Sequence, residues 1–433
     1  MTKTKLNKKF WLALTIFSLV GQVAWVIENM YFNVFIYKMF NASPADIAAM
    51  VRASAIAATV TTLVIGALSD KLGKRKIFIS GGYILWGLSI CAFALLRVDL
   101  ISSIIPATVS ASAVGVTLVI ILDCVMTFLG SSANDACFNA WLTDSTDSTN
   151  RGSAEGINAM MPLMAILVVF GSCMGMDTSD PNAWSTVFTI MGVAVVLIGI
   201  LGFFIIKEPQ VDVSADENYF ANIVYGFRPS VIKSNKLLYT ALAAFAMFGI
   251  SIQIFMPYLI LYYTEALKLD NYVIIMAPAV IIAAVATVFY GKLYDKFGFT
   301  KTILPTLAML GTGYVMLCIF KGTAMVFIGS LLMMSGYLCG MAVFGAIIRD
   351  CTPENKAGRF QGLRIVGQVL VPGIIGPFIG QSVLKNAETV IGDDGTAAFI
   401  PNQNIFIAAL VAAVLILPLL IPVFNLIKKE STK

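Results

Sequence analysis

The sequence predicts an all-α polytopic membrane protein, with twelve transmembrane helices in two pseudo-symmetric six-helix bundles. Three observations lead there: apolar segments of about 20 residues recur from end to end, hydrophobic residues make up 58% of the chain against 12% charged, and two polar motifs each occur twice. The mean hydropathy is +0.87, and an average soluble domain is about a quarter charged. A chain so poor in charge needs lipid as its solvent.

Charges and turn residues divide the apolar segments into spans at roughly 10–36, 46–68, 77–96, 117–142, 153–176, 185–206, 239–263, 271–293, 302–320, 324–348, 363–384 and 404–427. The stretch from Val98 to Gly115 reads either as helix or as an external excursion. Lys3, Lys5, Lys8 and Lys9 precede the first apolar run, which continues past Tyr31, so a retained first span is expected rather than a cleaved signal peptide. Of the 29 lysines and arginines, only Lys38, Arg97, Lys268, Lys321 and Lys385 fall opposite the termini, with Arg52 inside a span. The positive-inside rule then makes both termini cytoplasmic and the location a plasma (inner) membrane. The polar stretch 207–238 separates an N-terminal bundle, 1–206, from a C-terminal one, 239–433, and reads as a cytoplasmic linker.

The net charge of +5 follows from that clustering at helix ends and does not indicate nucleic acid. The seven cysteines lie mostly within apolar runs, without the paired spacing of a zinc site or disulfide framework. No histidine is present, so the usual metal ligand and the usual proton shuttle near neutral pH are missing. Any proton coupling falls to carboxylates, and no cofactor or metal is expected.

GALSDKLGK after span two returns as GKLYDKFGF after span eight, with Gly66, Asp70, Lys71 and Gly73 matching Gly291, Asp295, Lys296 and Gly298 at an offset of 225. After spans four and ten, Asp144, Thr146, Gly152 and Gly156 match Asp350, Thr352, Gly358 and Gly362 at an offset of 206. Two independent anchors identify parallel halves. The first copy is not a phosphate loop. Six residues separate its glycines, Arg75 stands where Ser or Thr should follow Lys74, and the strand context is missing.

Gly66, Asp70, Gly73, Lys74 and Arg75 resemble the loop signature of the major facilitator superfamily, with a degenerate copy around Asp295. The resemblance extends over the whole chain and implies a transporter working by alternating access, its site between the halves near the membrane middle. It also implies that Gly66, Asp70, Gly73, Lys74, Arg75 and Asp295 gate one side, with Gly66 allowing close helix approach and Asp70 facing a helix N-terminus. The alternative is that they only fix a tight loop. NDACFNAWLTD, Asn134 to Asp144, loosely resembles the fourth span of sucrose/proton symporters and their glycoside–cation relatives. Asn139 departs from the arginine of that pattern.

An ionisable group at a helix centre costs roughly 2.5–3.5 kcal/mol on insertion scales, so it needs a partner, water or a function. Glu28, Asp123, Asp135 and Arg52 qualify. Around Glu28, a 100° helical period puts Gln22, Asn29 and Asn33 on one stripe, bordered by Trp25 and Phe32. That stripe is either a wet wall for a solute or helix packing. Asp135 and Asn134 lie deeper in span four than Asp123, which could instead reach the external surface. The offset of 206 maps Asp135 to Met341, so the repeat does not demand a carboxylate there. Asp135 is therefore preferred with Glu28 for ion coupling.

Arg52 reads either as an ion-pair partner of Glu28 or as snorkelling outward. Arg151, Glu155, Arg359 and Arg364 suggest a charge network at the starts of spans five and eleven. In the C-terminal half Gln253, Tyr258, Tyr337 and Gln368 are candidate substrate contacts, beside Gln22, Trp25, Asn29, Asn33 and Asn134 of the first half.

The expected activity is cation-coupled uptake, by a proton or a sodium ion, of a sugar or glycoside. Proton-driven export of amphipathic drugs or metabolites is the alternative within the class, and a membrane receptor or enzyme the alternative outside it. Expected partners are a small-molecule substrate, the co-transported ion and the lipid bilayer, with a monomer as the working unit.

Overall fold

Local capping sets where the first helices begin. Asn7 accepts the Phe10 N–H through its side chain at 2.7 Å, opening α1 (Lys8–Phe40). Ser43 and Asp46 close a reciprocal capping box around Pro44, the first residue of α2 (Pro44–Leu72). Gly73 ends α2 in the left-handed region at φ 61°, where a side chain would strain the backbone, and lets the chain turn into α3 (Lys76–Phe93). In this computed structural model residues 6–147, 150–209, 224–269, 271–352, 357–391 and 397–431 are described.

The region 98–115 is helical in two pieces. A short helix spans Val98–Ile104, and Ser110 then accepts the Ala113 N–H to open α4 (Ala111–Asp144), so α4 starts well before the expected residue 117. Next come α5 (Arg151–Ser172) and α6 (Pro181–Ile205), the latter capped by Asp180 with Pro181 behind it. After a turn at Tyr225–Phe227 and a short helix Pro229–Ser234, α7 runs Lys236–Ala266. The helix Tyr272–Ile319 is two spans joined end to end, because Gly298 (φ 71°, ψ 178°) breaks it into α8 (272–297) and α9 (299–319). The remaining spans are α10 (Thr323–Cys351), α11 (Gly362–Val383) and α12 (Asn404–Lys429). The described residues thus hold twelve apolar helices. An antiparallel hairpin of β1 (Thr389–Ile391) and β2 (Ala397–Phe399), for which the sequence offered no signal, joins α11 to α12.

The chain divides into two compact units, Met1–Phe220 and Ala221–Lys433. In the first, an added Cβ at Gly87 on α3 would meet the Gly192 carbonyl of α6 at 2.5 Å, so the two backbones touch there. Phe32, Phe35, Phe93, Trp184 and Phe188 form an aromatic cluster between α1, α3 and α6, with ring centroids 4.5–5.8 Å apart in most pairs. In the second unit an added Cβ at Gly313 of α9 would clash with the Met333 backbone on α10. The opposite faces carry large apolar side chains with no protein cover, such as Ile190, Leu197 and Phe204 on α6. Only hydrocarbon suits such faces, and the protein is an integral membrane protein.

Among the described residues four stretches wind as π-helix: Ile27–Tyr31 in α1, Ser131–Phe138 in α4, Tyr262–Ala266 in α7 and Val366–Leu370 in α11. The wider turn re-aims side chains and recurs at functional sites. Glu28, Asp135 and Gln368 all sit in such stretches.

Candidate functional site

Three helices of the N-terminal unit bring a carboxyl cluster together. Glu28 comes from the π-helical turn of α1, Ser54 from α2, and Asp123 and Thr127 from successive turns of α4. Ser54 Oγ donates to Glu28 Oε1 at 2.8 Å and Thr127 Oγ1 donates to the same oxygen at 2.9 Å. The two hydroxyl oxygens are themselves 2.9 Å apart. Asp123 lies one turn before Thr127 on α4, close enough for the charge of Glu28 to act on it. Glu28 is 7% exposed and Asp123 2%, which corrects the reading of Asp123 as a surface group. Glu28 Oε2 and Asp123 Oδ1 are buried without a hydrogen-bond partner. A hydrogen bond to a charged group contributes roughly 1.5–3 kcal/mol. Two of them offset the cost of one buried charge and not of two.

Asp135 lies deeper along α4 and keeps some exposure. Its carboxylate accepts from Ser131 Oγ at 3.0 Å and, more weakly, from Asn134 Nδ2 at 3.4 Å. The Trp25 indole N–H approaches it without closing a hydrogen bond. Trp25, half-buried, packs on the fully buried Trp86 with ring centroids 5.3 Å apart and planes tilted by 44°.

The stripe read from the 100° period does not survive as one face. The π-helical turn shifts everything after Ile27. Asn29 is exposed and spends its Nδ2 on the Trp25 carbonyl at 2.7 Å, whereas Asn33 is buried and gives its Nδ2 to the Asn29 carbonyl at 2.9 Å. Gln22 and Trp25 remain half-buried. Asn134, expected to touch substrate, is buried and accepts from Tyr83 OH at 2.9 Å; its Oδ1 would lie 2.6 Å from a Cβ on Gly21. It fastens α1 to α3 and α4. Arg52 turns its Nε to the Ala48 carbonyl one turn back on its own helix.

In the second unit Gln253, Tyr337 and Gln368 are half-buried. Tyr258 is fully buried, against Phe399 of β2 and against α11 at Gly380. Arg364 is half-buried. The side chains of Arg151, Glu155 and Arg359 lie outside the described residues.

The signature loop forms a charge clamp. Arg75, 3% exposed, donates from Nη2 to Asp70 at 2.5 Å, from Nη1 to Ser69 Oγ at 2.5 Å and from Nε to Asp144 at 2.9 Å. Burial alone would lower the guanidinium, but Asp70 and Asp144 outweigh it and raise it, so the charge is fixed. The N-terminus of α3 is capped by Glu208, which accepts the backbone N–H groups of Arg75 and Lys76. Lys74 is exposed and outside the clamp. Gly66 is not needed for close approach, since an added Cβ would meet only Ala136, at 4.0 Å. The second copy is open: Asp295 is exposed, Thr300 stands where the offset of 225 puts the arginine, and Asp350 instead accepts from Tyr294 OH at 2.6 Å.

Sequence reasoning missed Ser54 as a site residue, and Glu208. A serine one helix away from a buried glutamate has no signature in the chain, and Glu208 sits at the edge of a stretch read only as linker.

The family model described as Major Facilitator Superfamily matches residues 10–377 and 274–431. Solved structures of similar fold include a D-xylose–proton symporter (TM-score 0.71, 16% identity, 95% of this chain and 96% of that one). A bacterial homologue of the human lysosomal transporter Spinster, inward-facing and occupied, gives 0.71 at 15% identity over 98% of each chain. The nucleoside transporter NupG gives 0.69 at 14% identity over 97% and 99%. No curated protein sequence matches this one significantly.

Proposed function

The chain belongs to the Major Facilitator Superfamily, and from that premise we propose that it takes up a sugar or glycoside by alternating access, driven by a cation gradient, in a plasma membrane with both termini cytoplasmic. The observation that carries this reading is the pair of π-helical turns that hold Glu28 and Asp135, carboxyls at depths where only a partner, water or a function supports them. Asp135 beside the half-buried Trp25 suits a solute with hydroxyls on one side and an apolar ring face on the other. Gln22 in the first unit and Gln253, Tyr337 and Gln368 in the second are our further candidates for solute contact. The fourth-span resemblance and the xylose carried by one structural neighbour favour a sugar among polar solutes.

In this reading the Arg75 clamp latches the cytoplasmic ends of α2 and α4 and is released once per cycle. The test is counterflow in proteoliposomes: vesicles loaded with one unlabelled sugar are diluted into its labelled form, across a panel of mono- and disaccharides. Transient overshoot of at least one sugar is expected. Overshoot with an amphipathic organic cation and with no sugar would transfer the assignment to drug export.

A further inference from the structure

We propose that Glu28, Asp123, Ser54 and Thr127 form a sodium site inside the N-terminal unit. The inference rests on the reading of the chain as a cation-coupled transporter, and it names the cation and its oxygens.

Among the described residues Glu28 Oε2 and Asp123 Oδ1, on side chains 7% and 2% exposed, are buried with no hydrogen-bond partner. Two unsatisfied carboxylate oxygens on neighbouring residues, at bilayer depth, repel each other unless something positive lies with them. The hydroxyls of Ser54 and Thr127 donate to Glu28 Oε1 and lie 2.9 Å from each other, and each hydroxyl oxygen has two acceptor lone pairs. The cluster therefore offers a hard cation two carboxylate and two hydroxyl oxygens, drawn from three different helices. Calcium takes six to eight oxygens, and magnesium dehydrates reluctantly. Four hard side-chain oxygens on three helices suit a monovalent ion, with a proton remaining for the second carboxyl.

The other titratable groups that feel this cluster are Asp135, whose charge acts on Glu28, and Cys124, next to Asp123 on α4. Arg52 lies on α2 two residues before Ser54 and directs its Nε to the Ala48 carbonyl. A site of this kind also couples transport to structure, because a bound ion ties α1, α2 and α4 together at one point.

The experiment uses the purified full chain in lipid nanodiscs. Thermal unfolding is followed in sodium chloride against potassium and choline chloride at equal ionic strength, and ²²Na⁺ binding is measured directly. The wild type should show a saturable rise in Tm with sodium alone and should bind labelled sodium. Asp123→Asn and Ser54→Ala should each weaken sodium binding by at least about tenfold, and Asp99→Asn, an exposed carboxylate on the same unit, should keep it. Should Asp123→Asn fail to fold, Ser54→Ala, which removes one partly exposed hydroxyl, decides alone. Equal stabilisation by sodium, potassium and choline, tighter binding of calcium than sodium, or sodium binding retained in Asp123→Asn and Ser54→Ala would each overturn the site. Solute accumulation driven by a pH gradient with no sodium binding refutes the site and leaves transport standing. Sodium binding without counterflow of any solute does the reverse.

Discussion

Arg75 Nε lies 2.9 Å from Asp144 Oδ2 while the same guanidinium holds Asp70 Oδ1 at 2.5 Å, so a single buried cation joins the end of α2 to the end of α4. The loop signature and the second repeat anchor, read in the sequence as separate motifs, are one structure. The contribution of each arm is set by exposure. Asp70 is 45% exposed at its side chain and its pairing is screened, whereas Asp144 at 24% is less so.

Asp144→Asn should therefore lower stability by roughly 1–3 kcal/mol and reduce the yield of folded protein, and Asp70→Asn by about 0–1 kcal/mol. Denaturant or thermal unfolding in nanodiscs reads both. Equal losses would mean that exposure does not govern the clamp.

If the clamp is a gate and not a solute contact, Asp70→Asn should slow counterflow while equilibrium binding of the same solute stays within about twofold, since the change removes only a pairing with Arg75. Binding assayed by isothermal calorimetry, set beside counterflow rates, separates the two quantities. Lost binding in well-folded protein would put Asp70 at the solute site.

Glycine positions give a test of packing. Gly87→Ala pushes a methyl into the Gly192 carbonyl and should cost about 1–3 kcal/mol, with less monodisperse protein recovered. Gly66→Ala, with its nearest neighbour at 4.0 Å, should leave both stability and transport close to wild type. A severe defect in Gly66→Ala would show that the glycine serves a conformation other than this one.

Much of this architecture was legible in the chain. The twelve spans follow from apolar length, and the offset of 225 pairs Gly73 with Gly298, both of which adopt positive φ at the loop that follows a span. The depth of Asp123 was not legible. With α4 expected from residue 117 it would stand about 9 Å into the helix, but α4 starts at Ala111 and carries it to about 18 Å. The faces beyond Glu28 were also hidden, because a π-helical turn is a change of backbone register with no signature in residue type. Asn33 and Asn134 look like ligand-binding amides in the sequence, and three-dimensional packing turns both inward.

Asp135→Asn tests the central claim most directly, measured in proteoliposomes for both counterflow and net accumulation under imposed proton and sodium gradients. Exchange of labelled for unlabelled solute needs no net ion movement, whereas accumulation does. The account predicts that wild-type protein concentrates its solute until an ionophore collapses the gradient. In Asp135→Asn counterflow should persist and accumulation fail, with Glu28→Gln measured in parallel. If the wild type only equilibrates its solute under every gradient, or if Asp135→Asn and Glu28→Gln both concentrate it with unchanged ion dependence, coupling through these carboxyls is contradicted.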